Sequence, residues 1–279
     1  MVNVAGSGAR IGAYEPLQLV HRGRRRLLVR CRDVTDGSVV VLKMVRRGWR
    51  AHEPTRRRLV REYHIARKAV HPGLIAVRAL GHHERAAFLV LEDHPFGALM
   101  GEPAIALQRN RRAVLSFVRE LAEAVHCFHA SGVIHLDVKP ANILLDRRGR
   151  PVLTDYGLAR SARELRRPRY LGGTPGFMSP EQAFLIERSV DHRSDVFSLG
   201  VLLHALFVGS LPFRARTRSE YFAALTASPT WPVGLTGAGD AEVMRVLSRA
   251  LAFDPDERYS TAEEMANDLG TLPRERSGI

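Results

Sequence analysis

Residues Val196–Val208 are apolar around the whole of a helical projection, interrupted only by Ser198, Gly200 and His204. The stretch falls short of the roughly 18–20 apolar residues that span a bilayer. A helix with no polar face must instead be sheathed by protein, so the chain needs a sizeable helical domain around it. The flanking sequence supplies one. Arg112–Ser131 carries Val114, Val118, Leu121, Val125 and Phe128 at helical spacing, with Gly132 suited to its C-terminal cap. Asp240–Phe253 and Thr261–Leu269 read as further helices, the second opened by Ser260 and Thr261 with Glu263 and Glu264 in its first turn.

The first third has a different rhythm. Leu17–Val20, Leu27–Cys31, Val39–Val45 and Phe88–Glu92 read as short strands, and Asp36-Gly37 between two of them is a hairpin signal. Leu59–Val70 reads as a helix with Leu59, Ile65 and Val70 on its apolar face, halted at His71-Pro72-Gly73. His82-His83 reads as a turn. The expected architecture is α+β: a small strand-rich lobe with one main helix, then a larger helical lobe, hinged at Glu92–Pro95.

Composition narrows the class of function. With 45% hydrophobic residues among 279, the chain can offset its ordering entropy and is not disordered. Cys31 and Cys127 are too few for a disulfide framework or a four-cysteine zinc site. Residues 1–12 lack a charged start followed by an apolar run, so no secretory leader is expected and the expected location is cytoplasmic. The net charge is +13, and most of the excess lies before residue 94, with 19 basic against 8 acidic residues. The clusters Arg24–Arg26, Arg46-Arg47 and Arg56–Arg58 have no interleaved aromatic platform, so they read as a solvated face and no nucleic acid is expected. His126 and His129 stand three apart without further ligands in spacing, which favours helix packing over a metal pair. Of the 42 basic residues only Lys43, Lys68 and Lys139 are lysine.

The chemistry-bearing stretch runs His135-Leu136-Asp137-Val138-Lys139-Pro140-Ala141-Asn142, followed by Leu153-Thr154-Asp155-Tyr156-Gly157. Together with Val40-Val41-Leu42-Lys43, Glu62, Met178-Ser179-Pro180-Glu181, Asp195 and Arg258, in that order, it resembles a protein kinase of the bacterial serine/threonine type. The resemblance covers about residues 14–271, with 14–93 as the small lobe, 94–271 as the large one, and 1–13 and 272–279 as extensions. It implies a two-lobed kinase fold and transfer of the ATP γ-phosphate to protein serine or threonine, with autophosphorylation. It implies Asp137 as the group that accepts the hydroxyl proton, with Lys139 and Thr174 beside it. Asn142 and Asp155 are the implied ligands of Mg²⁺, with Mn²⁺ as the alternative; both offer the hard oxygens such a cation prefers. Lys43 is implied to meet the α- and β-phosphates, oriented by Glu62. Leu91 takes the gatekeeper position and the backbones of Glu92 and His94 face adenine, while Val20, Gly23, Leu28, Val41 and Leu144 complete the implied nucleotide set. Glu181 and Arg258 are expected as a buried structural ion pair. Ser161 reads as a solvent-exposed loop serine and a candidate phosphosite.

Three departures bear on activity. The glycine-rich loop aligns with His21–Leu28 and keeps only Gly23, although glycines there let backbone N–H groups approach phosphate. Val41 stands where a smaller alanine usually lies. Leu136 replaces the arginine before the catalytic aspartate, whose charge normally calls for a phosphate on the activation segment. These leave a pseudokinase, a binding or scaffolding module, as the alternative. Against it, lysine is retained at Lys43 and Lys139 in a chain that otherwise writes arginine, and a compact ammonium is not interchangeable with a guanidinium. Arg160, Arg163, Arg166, Arg167 and Arg169 around Glu164 point to acidic or phosphorylated protein substrates.

Overall fold

The computed structural model describes residues 10–23, 26–45, 53–83, 86–165, 172–184, 190–213, 215, 217–226 and 240–272. Arg24, Arg25, Arg46, Arg47, Arg166, Arg167 and Arg169, together with both terminal extensions, therefore fall largely or wholly outside the described residues. The chain divides into two compact units, one of residues 1–70 and 74–95, the other of residues 71–73 and 96–279.

The first unit is a five-stranded antiparallel sheet with one helix. In chain order it holds β1 (Tyr14–Arg22), β2 (Arg26–Asp33), β3 (Val39–Val45), α1 (Glu53–Ala66), β4 (Val77–His83) and β5 (Ala86–Glu92), the strands arranged β1-β2-β3-β5-β4. The β2–β3 hairpin turns where the sequence expects it. Gly37 takes φ 74°, and the Asp33 and Asp36 carboxylates accept from the backbone N–H groups of Thr35 and Ser38. The period of two then sorts the side chains. Val29, Cys31, Val40, Leu42, Met44, Phe88 and Val90 bury one face together with Ile11, which leaves Val41 and Lys43 on the other. Burial pushes the Cys31 thiol up to about 12, so it acts as a core residue.

Two expectations need correction here. The main helix starts earlier, at Glu53, with Pro54 in the first turn where proline is tolerated, and it ends at Ala66. Val70 is 93% exposed and belongs to no apolar face; Leu59, Glu62 and Ile65 form the buried stripe instead. His82 and His83 are not a turn but the end of β4, opposite Ala87 and Ala86.

The second unit is helical around the apolar segment Val196–Val208. It comprises α2 (Glu102–Gln108), α3 (Arg111–Ala130), β6 (Val133–Ile134), β7 (Ile143–Leu145), β8 (Pro151–Leu153), β9 (Arg160–Ser161), α4 (Ala162–Leu165), α5 (Pro180–Ala183), α6 (Arg193–Val208), α7 (Arg218–Thr226), α8 (Asp240–Ala250) and α9 (Ala262–Thr271). The central helix α6 is buried from Ser194 through His204. Gly200 lets α8 approach closely, since a Cβ there would sit 2.8 Å from that of Ala250. Asn110 caps α3 by accepting from Ala113 N, and Thr261 caps α9 by accepting from Glu264 N. The helix expected to run to Phe253 stops at Ala250. Arg258 meets Glu181 through two 2.8 Å bonds with both side chains buried, the bidentate geometry that guanidinium suits. Among the described residues no helix is long and apolar enough to cross a membrane.

Candidate active site

In the helical unit, the loop after β6 places Asp137 at the centre of a hydrogen-bond set. Its Oδ1 accepts from Thr174 Oγ1 at 2.8 Å, and its Oδ2 accepts from Lys139 Nζ at 2.7 Å and from Asn142 Nδ2 at 2.9 Å. Lys139 also donates to Thr174 Oγ1. Asn142 Nδ2 donates a second time, to the Asp137 carbonyl at 2.9 Å. With the amide nitrogen held in this way, the amide oxygen is the end of Asn142 left to meet a cation. The carboxylate is thus fixed by three side chains, a condition for a base that must sit within hydrogen-bond reach of its proton.

Neighbouring groups fix this loop in turn. Thr154 N donates to the Asn142 carbonyl at 2.9 Å, tying the Asp155 segment to the Asp137 loop. His135 accepts from Asp137 N at Nδ1 and faces the Thr154 carbonyl at 3.1 Å with Nε2, which selects one tautomer. Tyr156 is buried, stacks on Phe128 at 4.9 Å and meets His135 edge-on at 5.8 Å. Leu136 and Asp155 are the non-glycine residues with positive φ among those described, 65° and 64°. Backbone in this region is held against its preference, and such positions gather at functional sites.

Asp195, in the first turn of α6, anchors the loop from below. Its Oδ2 accepts from His135 N and its Oδ1 from Leu136 N, both at 2.8 Å, and His129 Nε2 lies 2.8 Å from Oδ2. Burial raises the Asp195 carboxyl, but the His129 hydrogen bond, the attraction of His129 and His135 and the His135 amide outweigh it. The net effect holds the group below its ordinary value. The expectation of ordinary packing for His129 is therefore incomplete, because the ring meets the Asp195 carboxylate beneath the Asp137 loop. His126 faces Glu263 at 3.6 Å, and no cluster of metal-ligating side chains occurs among the described residues. Gln182, which ends Ser179-Pro180-Glu181-Gln182, supports the same loop in a way its place in the sequence does not announce. It is fully buried, donating to the Leu136 carbonyl at 3.1 Å and accepting from Ser179 N and Oγ at 3.2 Å. A buried glutamine after Pro180-Glu181 must find partners, and that was the available signal.

In the sheet unit, Lys43 and Glu62 are both buried and paired. Leu28, Val41, Leu89 and Leu91 share the Lys43 face through the register Leu28↔Lys43, Lys43↔Leu89 and Val41↔Leu91. Val20 falls at an irregularity in the β1–β2 ladder between Leu19 and His21 and is 48% exposed. Gly23 N donates to the Arg26 carbonyl at 2.9 Å in the connection that follows. Glu92 ends β5, with His94 just beyond. Leu144 pairs with Val152 in the helical unit. Ser161 does not lie in an open loop: it pairs with Val133 in β9, and its hydroxyl and amide both donate to Glu164.

Comparison with known proteins agrees with this geometry. The family model of the protein kinase domain matches residues 14–269. CBL-interacting protein kinase 16 of Oryza sativa is 33% identical over 91% of this chain and 56% of its own length. Serine/threonine-protein kinase pkn3 of Myxococcus xanthus is 31% identical over 94% of the chain and 50% of its own length. For serine/threonine-protein kinase PrkC of Bacillus subtilis the values are 27%, 95% and 41%. The chain thus spans about half the length of these curated relatives. An Asp137 held by Lys139, Thr174 and Asn142, a Lys43–Glu62 pair and a family match over nearly all of its length lead to one assignment: the chain belongs to the protein kinase family.

Proposed function

We propose that this chain is a serine/threonine protein kinase domain that transfers the γ-phosphate of ATP to protein hydroxyls, its own included. The observation that carries the reading is the Asp137 carboxylate fixed by Lys139, Thr174 and Asn142. Phosphoryl transfer asks a protein chiefly for positioning and charge neutralisation. Asp137 orients the acceptor hydroxyl and takes its proton. Lys139 stands by the transferring phosphate, and Thr174 holds Asp137 and Lys139 together. Lys43, oriented by Glu62, meets the α- and β-phosphates. The Asn142 amide oxygen and the Asp155 carboxylate fit a hard divalent cation, Mg²⁺ in this reading or Mn²⁺ in its place. Such a cation, when bound, neutralises charge on the phosphates.

Leu91, the backbones of Glu92 and His94, and Val20, Gly23, Leu28, Val41 and Leu144 form the nucleotide set in this reading. Cytoplasmic placement and a preference for acidic or phosphorylated substrates belong to the same proposal. The first rests on the ATP requirement and the second on the arginines near Glu164. The pseudokinase alternative finds no support in the named relatives. The test is incorporation of radiolabelled phosphate from ATP by wild type and Asp137→Asn. Incorporation in wild type that vanishes in the variant is expected, and equal incorporation in both would overturn the mechanism.

A further inference from the structure

The residue before Asp137 is restrained on three sides. Leu136 N donates to Asp195, and the Leu136 carbonyl accepts from Gln182. Its buried side chain clusters with Ile134 and Val190, and Leu165 packs against that cluster. All three restraints serve a leucine in left-handed backbone, which would leave that conformation if released. Asp195 and Gln182 belong to buried parts of the helical unit. Leu165 does not: it ends the short α4, half-buried, in the stretch that follows the Asp155 segment.

That stretch is nevertheless tied to the approach to the catalytic loop. Val133 pairs with Ser161 and Ile134 with Arg160. Ser161 and Glu164 then close a reciprocal box at the start of α4: Ser161 N and Oγ donate to Glu164 Oε2, and Glu164 N donates to Ser161 Oγ at 3.3 Å. The box sets the turn that carries Leu165. A phosphate on Ser161 would face the Glu164 carboxylate and open it.

We propose that Leu165 is a positioning residue for phosphoryl transfer. Seated against Ile134, Leu136 and Val190, it holds Leu136, and through it the Asp137 carboxylate, in the reactive arrangement. The proposal rests on the kinase reading above and deepens it. The seat is apolar, so it needs no counter-ion. Leu136 offers no charge for a phosphate to neutralise, and the seated state is reached without phosphorylation of the 160–165 stretch.

The test compares wild type, Leu165→Ala and the shape-conserving Leu165→Met, with kcat and the KM for ATP measured separately. Phosphatase-treated wild type is assayed alongside, and hydrogen exchange is followed across residues 133–137. Leu165→Ala should lose about tenfold or more in kcat, about 1.4 kcal/mol of barrier, with the KM for ATP nearly unchanged. Exchange at residues 133–137 should rise in the same variant. Leu165→Met should restore both, and phosphatase treatment should leave wild type active. The proposal is overturned by wild-type kcat in Leu165→Ala, by a kcat loss without faster exchange, or by a loss of about tenfold in wild type after phosphatase. A wild type that transfers no phosphate would sink the kinase reading instead, and the exchange comparison would still decide whether Leu165 restrains the loop.

Discussion

The sheet unit and the helical unit have treated their share of the chemistry differently. In the sheet unit the resemblance implies a glycine-rich stretch reduced to Gly23 and Val41 in the place of a smaller residue, while Lys43 and Glu62 are buried and paired. In the helical unit Asp137, Lys139, Asn142 and Thr174 are all present and bonded to one another. The contrast is physical. A cradle of backbone N–H groups can be replaced by charge, because phosphate accepts from many donors, and arginine is abundant in this unit. A carboxylate that must meet one hydroxyl proton at hydrogen-bond distance has no such substitute.

The sharpest way to break the comparison is Asp137→Asn. General-base contributions of about 10²–10⁴-fold predict a loss of that order in kcat, with a thermal melt close to wild type. Next comes Lys43→Met, which leaves the Glu62 carboxylate buried and unpaired. Breaking a buried pair from one side costs about 3–5 kcal/mol, so this variant should lose activity and also melt several degrees lower. Adding Glu62→Leu should recover the melt but not the activity; recovery of both would show that the pair is structural only.

Asp195→Asn should cost less, about 1.5–3 kcal/mol for hydrogen bonds to a charged group, and its signature lies in pH. The folded-state carboxyl is held below its ordinary value, so its contribution is complete at neutral pH, above the unfolded value of 3.8, and is lost as pH falls through the folded value. The stability gap between wild type and variant should therefore narrow on acidification below about pH 4. A gap constant with pH would show that the ionised form does not matter. The smallest effect belongs to Val41→Ala. If the valine overpacks the nucleotide slot, as overpacking by about 1–3 kcal/mol would allow, ATP should bind up to about tenfold tighter. Unchanged affinity would mean that the sheet unit has repacked around Val41.

How far the molecule was legible in its sequence follows the same division. The residues proposed for catalysis were readable because the proposed chemistry demands particular groups at fixed spacing. The apolar segment of α6 was readable because a helix without a polar face has one destination. What stayed hidden depends on neighbours distant in sequence. The ends of α1 were obscured by Arg56–Arg58, which leave no apolar repeat to mark its first turn. β4 was missed because Gly81, His82 and His83 have low strand preference, and pairing with Phe88, Ala87 and Ala86 overrides it. Leu136 could be seen to lack charge, but no spacing rule joins it to Leu165 and Val190, and Gln182 became functional only once its hydrogen bond to Leu136 was visible.

The Glu181–Arg258 pair carries a consequence for the order in which the protein is made. Its partners lie 77 residues apart, so Glu181 is synthesised long before the guanidinium that neutralises it. At about 5–20 residues per second, that interval lasts several seconds on the ribosome. In the folded chain Ser194 Oγ also donates to Glu181, but burial of that carboxylate is costly without its cation. Nascent chains arrested short of Arg258 should therefore keep the Met178–Ala183 stretch open to protease, and chains carrying Arg258 beyond the exit tunnel should protect it. Closure of this kind completes the Glu181 site only when nearly the whole helical unit has been made.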